Sequence, residues 1–111
     1  MIGDDIRKHA VAEFPRECCG VVVRVDEELV YVPCRNIAPD ENEFMIHPHD
    51  YAAAEDSGER VAIVHSHPRG NSEMSEPDKE AFKYSEVDWI IVGQDGTITG
   101  YKCNQDQTEE A

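Results

Sequence analysis

The stretch His65-Ser66-His67-Pro68, which follows the apolar run Val61-Ala62-Ile63-Val64 and is itself followed by Ser75 and Asp78, constrains the fold more than any other segment. The apolar run reads as a buried strand, and residues two apart on a strand project from the same face. His65 and His67 are then side by side, where a divalent metal could bridge them. Asp78, at the start of the next helix, would add an oxygen ligand and leave a fourth tetrahedral position open. That is the arrangement of a catalytic rather than a structural zinc, with one ion expected per chain. The fold must therefore bring a strand end against a helix start.

The rest of the chain supplies elements that could do this. Ile2, Ile6, Ala10 and Phe14 recur at helical intervals, which predicts a helix over about residues 2 to 13 closed by Pro15. Val21-Val22-Val23 and Leu29-Val30-Tyr31-Val32 read as an antiparallel hairpin across Asp26-Glu27-Glu28. A loop over Pro33 to Asn42, a short strand at Phe44 to Ile46 and a helix from Pro48 to about Ser57, ended by Gly58, are expected next. Beyond the histidines, Pro68 to Met74 is turn-forming and polar, a surface loop placed to gate the site. Ser75 opens a helix to about Tyr84, and Trp89 to Val92 pairs with Thr97 to Tyr101 across Gln94-Asp95-Gly96. The order predicts an α/β fold with a mixed sheet between helices, occupying residues 1–103 and followed by a polar, frayed tail over 104–111.

Composition narrows the function. The 111 residues suit one domain, and 10 Lys plus Arg against 24 Asp plus Glu give a net charge of −14. Nucleic-acid and anionic-membrane binding are disfavoured by that charge and by the lack of a basic patch. The charged first residues do not form a signal peptide and no run approaches a membrane span, so a cytoplasmic location is expected, in the host cell if the chain is phage-encoded. Cys18, Cys19, Cys34 and Cys103 form no C-x-x-C pair and read as reduced core thiols. As a nucleophile, Cys18 or Cys19 would need an orienting His that the sequence does not identify. A second pair, His47-Pro48-His49, is followed only by Asp50 and reads as a strand-to-helix corner in which ring N–H groups cap backbone. Zinc nucleobase deaminases are disfavoured because Pro33-Cys34 lacks the second cysteine of their signature.

His65-x-His67, seven residues, Ser75, two residues and Asp78, with Glu17 upstream in Pro15-Arg16-Glu17-Cys18-Cys19-Gly20, resembles the JAMM (MPN+) metalloprotease motif at its five functional positions. The resemblance extends over the order of elements from about residue 2 to 103. It implies a cytidine-deaminase-like architecture and zinc-dependent hydrolysis of a peptide or isopeptide bond, with His65, His67 and Asp78 as ligands. It further implies Glu17 as general base and Ser75 as hydrogen-bond donor to the carbonyl oxygen. Each residue also has a plainer reading. Glu17 could be a surface carboxylate, Ser75 and Asp78 a capping box, and the histidines satisfied strand residues.

Within the family, Glu17-Cys18-Cys19-Gly20, Ile63-Val64-His65-Ser66-His67-Pro68 and Asp88-Trp89-Ile90-Ile91-Val92 are similar to the amino-terminal domains of phage tail-assembly members. That narrower likeness implies a role in tail assembly or host entry, with phage tail proteins and an NlpC-type cysteine peptidase domain as candidate partners beside a peptide or protein substrate. The chain stops before such a domain could begin, so a stand-alone form or an excised domain is expected. A tail-assembly binding module that keeps its metal without turnover, and a free-standing bacterial enzyme that processes a ubiquitin-like or sulfur-carrier protein, are the alternatives.

Overall fold

In the computed structural model, which describes residues 1–103, helix α1 spans Ile2–Glu13 as its periodicity predicts. Its apolar stripe is pressed onto one face of a sheet. Ile6 is 1% exposed and packs with Val22, Tyr31, Ala62, Val64 and Val92, while Ile2 and Ala10 flank it. Burying a side chain of that size contributes roughly 1.5–3 kcal/mol. The tail expected over 104–111 lies outside the described residues.

Five strands form the sheet: β1 (Cys19–Val25), β2 (Glu28–Cys34), β3 (Glu59–Ser66), β4 (Asp88–Val92) and β5 (Ile98–Tyr101), in the spatial order β2-β1-β3-β4-β5. Only β3 and β4 run parallel, so the sheet is mixed. Helix α2 (Pro48–Ser57) covers the face opposite α1, where Ala54 meets Cys19, Val21, Val23 and Cys34. Helix α3 (Glu76–Phe82), the crossover between the parallel strands, lies on the same face and sets Phe82 against Trp89, ring centroids 5.3 Å apart. The expected α/β layers are thus present.

Local chemistry explains where the chain departs from expectation. The β1–β2 hairpin turns through Asp26 and Glu27, both at positive φ (51° and 72°), the pattern of a type I′ turn. Pro33, expected in a loop, belongs to β2, where an edge strand tolerates its missing N–H. The strand expected at Phe44–Ile46 does not form; a single bridge joins Asn36 and Ile46. Beyond the bridge's backbone bonds, from the Ile37 N–H to Met45 O and from the His47 N–H to Arg35 O, a side chain takes over: Asn36 accepts from the Met45 N–H and donates to the Glu43 carbonyl. The helix expected from Ser75 to Tyr84 is shorter, with Ser75 as its N-cap.

Gly20 has a steric reason within Glu17-Cys18-Cys19-Gly20. A Cβ there would stand 2.5 Å from the Tyr31 ring, which lies across β1 with its hydroxyl 2.7 Å from His9 Nδ1. Among the described residues, no helix is long and apolar enough to cross a membrane.

Candidate metal centre

The carboxyl end of β3 is the best-braced place in the sheet. His65 is opposite Cys19 of β1 and Ile91 of β4, so ladders hold it from both sides. His67, just past the strand, still donates its N–H to the Val92 carbonyl at 2.9 Å. The antiparallel pairing also runs on past Cys19, because the Ser66 N–H donates to the Cys18 carbonyl and the Cys18 N–H to Ser66 Oγ. One further step of that register sets Glu17 across from His67, on the face that also holds Cys19 and His65. This is how a residue far upstream in sequence reaches the site.

Asp78 arrives from the first turn of α3, placed by a capping box. Ser75 Oγ accepts from the Asp78 N–H at 3.2 Å, and Asp78 Oδ2 accepts from the Ser75 N–H at 3.0 Å. The ligand atoms of His65, His67 and Asp78 all lie within 4.8 Å of one another. The structure thus brings the three spacing-predicted residues together, with Glu17 and Ser75 beside them lining the same clefts.

The donor set fits a cation. His67 Nδ1 is 2.8 Å from the Asn71 carbonyl oxygen, and its Nε2 is 2.9 Å from Asp78 Oδ2. Burial opposes ionisation of Asp78, but the bond to His67 and the close approach of the His65 ring outweigh that and hold its carboxyl well below the usual range. Both of His67's partners are therefore acceptors, and a neutral imidazole can satisfy only one. The bond to Asp78 accordingly raises the His67 pKa. His65 Nε2 lies 3.3 Å from Asp78 Oδ1 without the alignment of a hydrogen bond, and neither ring nitrogen of this fully buried residue has a partner. Burial lowers its pKa and keeps the ring neutral. A metal seated among the three would stand where Asp78 asks His67 for a proton, and would give His65 its missing partner. The Asn71 bond fixes the proton on Nδ1 and leaves Nε2 free to ligate, as is usual for metal-bound histidines.

Glu17 is 6% exposed, so the surface-carboxylate reading fails. Burial pushes its pKa up to about 8 against the pull of His67, with Asp78, Glu43 and Asp40 adding to the rise. Two clefts meet at Glu17 and Ser75. One passes Asn42, His67, Pro68, Arg69 and Gly70; the other is walled by Phe44, Met45, Pro77, Ala81 and Trp89.

Other expected features fall into place. The 68–74 loop, read as a gate, is tied down: the Gln94 N–H donates to Gly70 O at 2.8 Å, the Tyr101 hydroxyl donates to Ser72 O at 2.8 Å, and Ser72 and Thr99 share a hydroxyl bond. In the second His pair, His47 caps α2 by accepting the His49 N–H through Nδ1, so the ring nitrogen is an acceptor rather than the expected donor. The four cysteines are free thiols, and burial pushes Cys19 up to about 12, far from a thiolate nucleophile at neutral pH. Phe44, Trp89 and Asn36 also contribute to the site and were not singled out from sequence.

Comparison with known proteins assigns the chain to a family. The family model Prok-JAB, prokaryotic homologs of the JAB domain, matches residues 2–104. Tail tip assembly protein K of Escherichia phage N15 is 50% identical over 90 residues, which are 80% of this chain and 37% of that protein. The protein of the same name from Escherichia phage lambda is 43% identical over 56 residues, covering 50% of this chain and 28% of its own length. The chain therefore spans well under half of either relative.

Among solved structures, a protein from Desulfitobacterium hafniense superposes with a TM-score of 0.68 at 19% identity, over 87% of this chain and 75% of its own. A JAB1/MPN domain protein from Archaeoglobus fulgidus does so at 0.59 and 19%, over 91% and 82%. At these identities the likeness speaks for the fold. With its strand-end histidines, its helix-start aspartate and a family model that matches nearly its whole length, the chain belongs to the prokaryotic JAB-domain family.

Proposed function

We propose that this domain hydrolyses a peptide or isopeptide bond with one zinc ion held by His65, His67 and Asp78. One observation carries the reading: an imidazole with acceptors at both nitrogens stands beside a buried, unpartnered one and an ionised carboxylate. Zinc, when bound, acidifies water to a pKa of about 7 and draws charge from a carbonyl. The chain's own groups do the rest. Glu17, buried beside the three ligands, takes a proton from the attacking water and returns it to the departing amine. Ser75 Oγ uses a lone pair to cap α3, which leaves its hydrogen free to donate to a carbonyl oxygen as charge develops there.

The likeness to tail tip assembly proteins supports a substrate among phage tail proteins, and an NlpC-type peptidase domain is the proposed neighbour in a longer protein. The test is elemental analysis followed by assays with and without zinc against tail proteins, ubiquitin-like fusions and peptidoglycan peptides. Zinc-dependent cleavage of a tail protein is expected. Cleavage of ubiquitin-like fusions alone would point to the free-standing processing enzyme, and zinc uptake with no turnover on any of them to a binding module.

A further inference from the structure

We infer that Phe44, held in place by Asn36, is a positioning residue that fixes the His65 ring and so sets how tightly the metal is retained. The inference rests on the zinc reading above. The Phe44 ring lies flat on the His65 imidazole, centroids 4.3 Å apart and planes 13° from parallel. Trp89 meets the same imidazole edge-on at 5.3 Å and 87°, and Phe44 at 5.8 Å and 75°. Because neither His65 nitrogen makes a hydrogen bond, these two rings take the place of the carboxylate or carbonyl that normally orients a ligating histidine. His67 has such a partner in Asn71; His65 has only aromatic walls.

Phe44 belongs to no helix or strand, so something else must hold it. Asn36 does so with all four of its hydrogen-bonding valences: Nδ2 donates to Glu17 O and Glu43 O, each at 2.9 Å, and Oδ1 accepts from the Ala38 N–H at 2.9 Å and the Met45 N–H at 3.0 Å. The two loop bonds flank Phe44. The bond to Glu17, reinforced by the Glu17 N–H donating to Glu41 O at 3.1 Å, ties the backbone of the proposed base to the same loop. The Asn36 amide, with these backbone bonds and that of the Ile37 N–H to Met45 O, keeps the base and the ring over a metal ligand in step.

Phe44→Leu tests this, because leucine keeps an apolar side chain but has no flat face to lay on an imidazole. Phe44 is only partly buried, so the metal-free variant should melt close to the parent. Its zinc affinity, measured by competition with a chelator, should fall about tenfold or more, and the visible bands of the cobalt-substituted protein should shift. Phe44→Tyr, which restores the ring, should recover both. Asn36→Asp loses both donated bonds and should weaken zinc in the same direction. Parent-like zinc affinity in Phe44→Leu, or no recovery in Phe44→Tyr, overturns the inference and leaves the zinc reading standing. A parent protein that takes up no zinc overturns both.

Discussion

The molecule contains two His-x-His pairs, and their rings are equally far apart: His47 and His49 have centroids 5.2 Å apart, as do His65 and His67. Their surroundings differ in one decisive respect. Beside the first pair, Asp50 is consumed by Arg35, whose guanidinium grips it with two bonds at 2.8 and 2.9 Å while the Arg35 N–H adds a third. Those bonds hold the Asp50 carboxyl well below its usual pKa, and its charge is already paired with the guanidinium. Beside the second pair, Asp78 has no guanidinium partner and faces two imidazoles. Spacing brings imidazoles together; what the nearby carboxylate is already bound to decides whether they can hold a metal.

The largest expected effect tests this contrast directly. Alanine at His65, His67 or Asp78 should strip most of the zinc, whereas alanine at His47 or His49 should leave zinc content at the parent value. Elemental analysis decides, and zinc lost on changing His49 would erase the distinction between the pairs.

Glu17→Gln comes next and separates holding a metal from using it. Zinc should remain while hydrolysis falls by roughly two to four orders of magnitude. The metal-free protein should also become more stable. Glu17's pKa in the folded protein, about 8 against an ordinary 4.5, means the native state binds more protons than the unfolded chain between those values. Stability is therefore lost as pH rises through that window. At pH 8.5 the glutamine variant should gain up to about 4–5 kcal/mol over the parent, and near pH 4 nothing, as read from denaturant melts of chelated protein.

Ser75→Ala should raise the reaction barrier by roughly 3 to 4 kcal/mol and lower folding stability by about 1 kcal/mol, with zinc unchanged. A stability loss at parent kcat would reduce Ser75 to a cap and make it the functional equal of His47. The smallest effect belongs to that residue. His47→Ala should cost about 0.5–1 kcal/mol of stability, the worth of a helix cap, with zinc and turnover untouched.

What sequence could reveal follows from the range of the interactions. The β-branched run Val21-Val22-Val23 and the apolar run into His65 are local signals, and the strands form there. Asp78 was legible because Ser75 and Asp78 make a capping box within one turn. Glu17 could be placed only through the family resemblance, since its burial depends on the β1–β3 register. Asn36 and Phe44 had no such help. Their contribution lies in bonds to Glu17 and a stack on His65 that exist only after the sheet has closed. The supposed Phe44–Ile46 strand is the instructive miss: Phe44 and Ile46 are partly buried while Met45 is exposed, and pairing with the chain around Asn36 stops at one bridge, with the Asn36 side chain taking the Met45 N–H and the Glu43 carbonyl.

The ladder between β1 and β3 slips once, between Val22 and Val23, and keeps its register from Val22 back to Cys19. The two ends of this sheet therefore face evolution on unequal terms. A residue gained or lost on the side of the Asp26-Glu27 turn and Gly58 adds to an irregularity the ladder already contains. One inserted between Glu17 and Val22 would turn Glu17 to the opposite face, under α1 and away from both histidines. Length variation among relatives should gather at the hairpin end, while the half-strand leading into Cys19 should keep its residue count wherever Glu17 and the two histidines are retained.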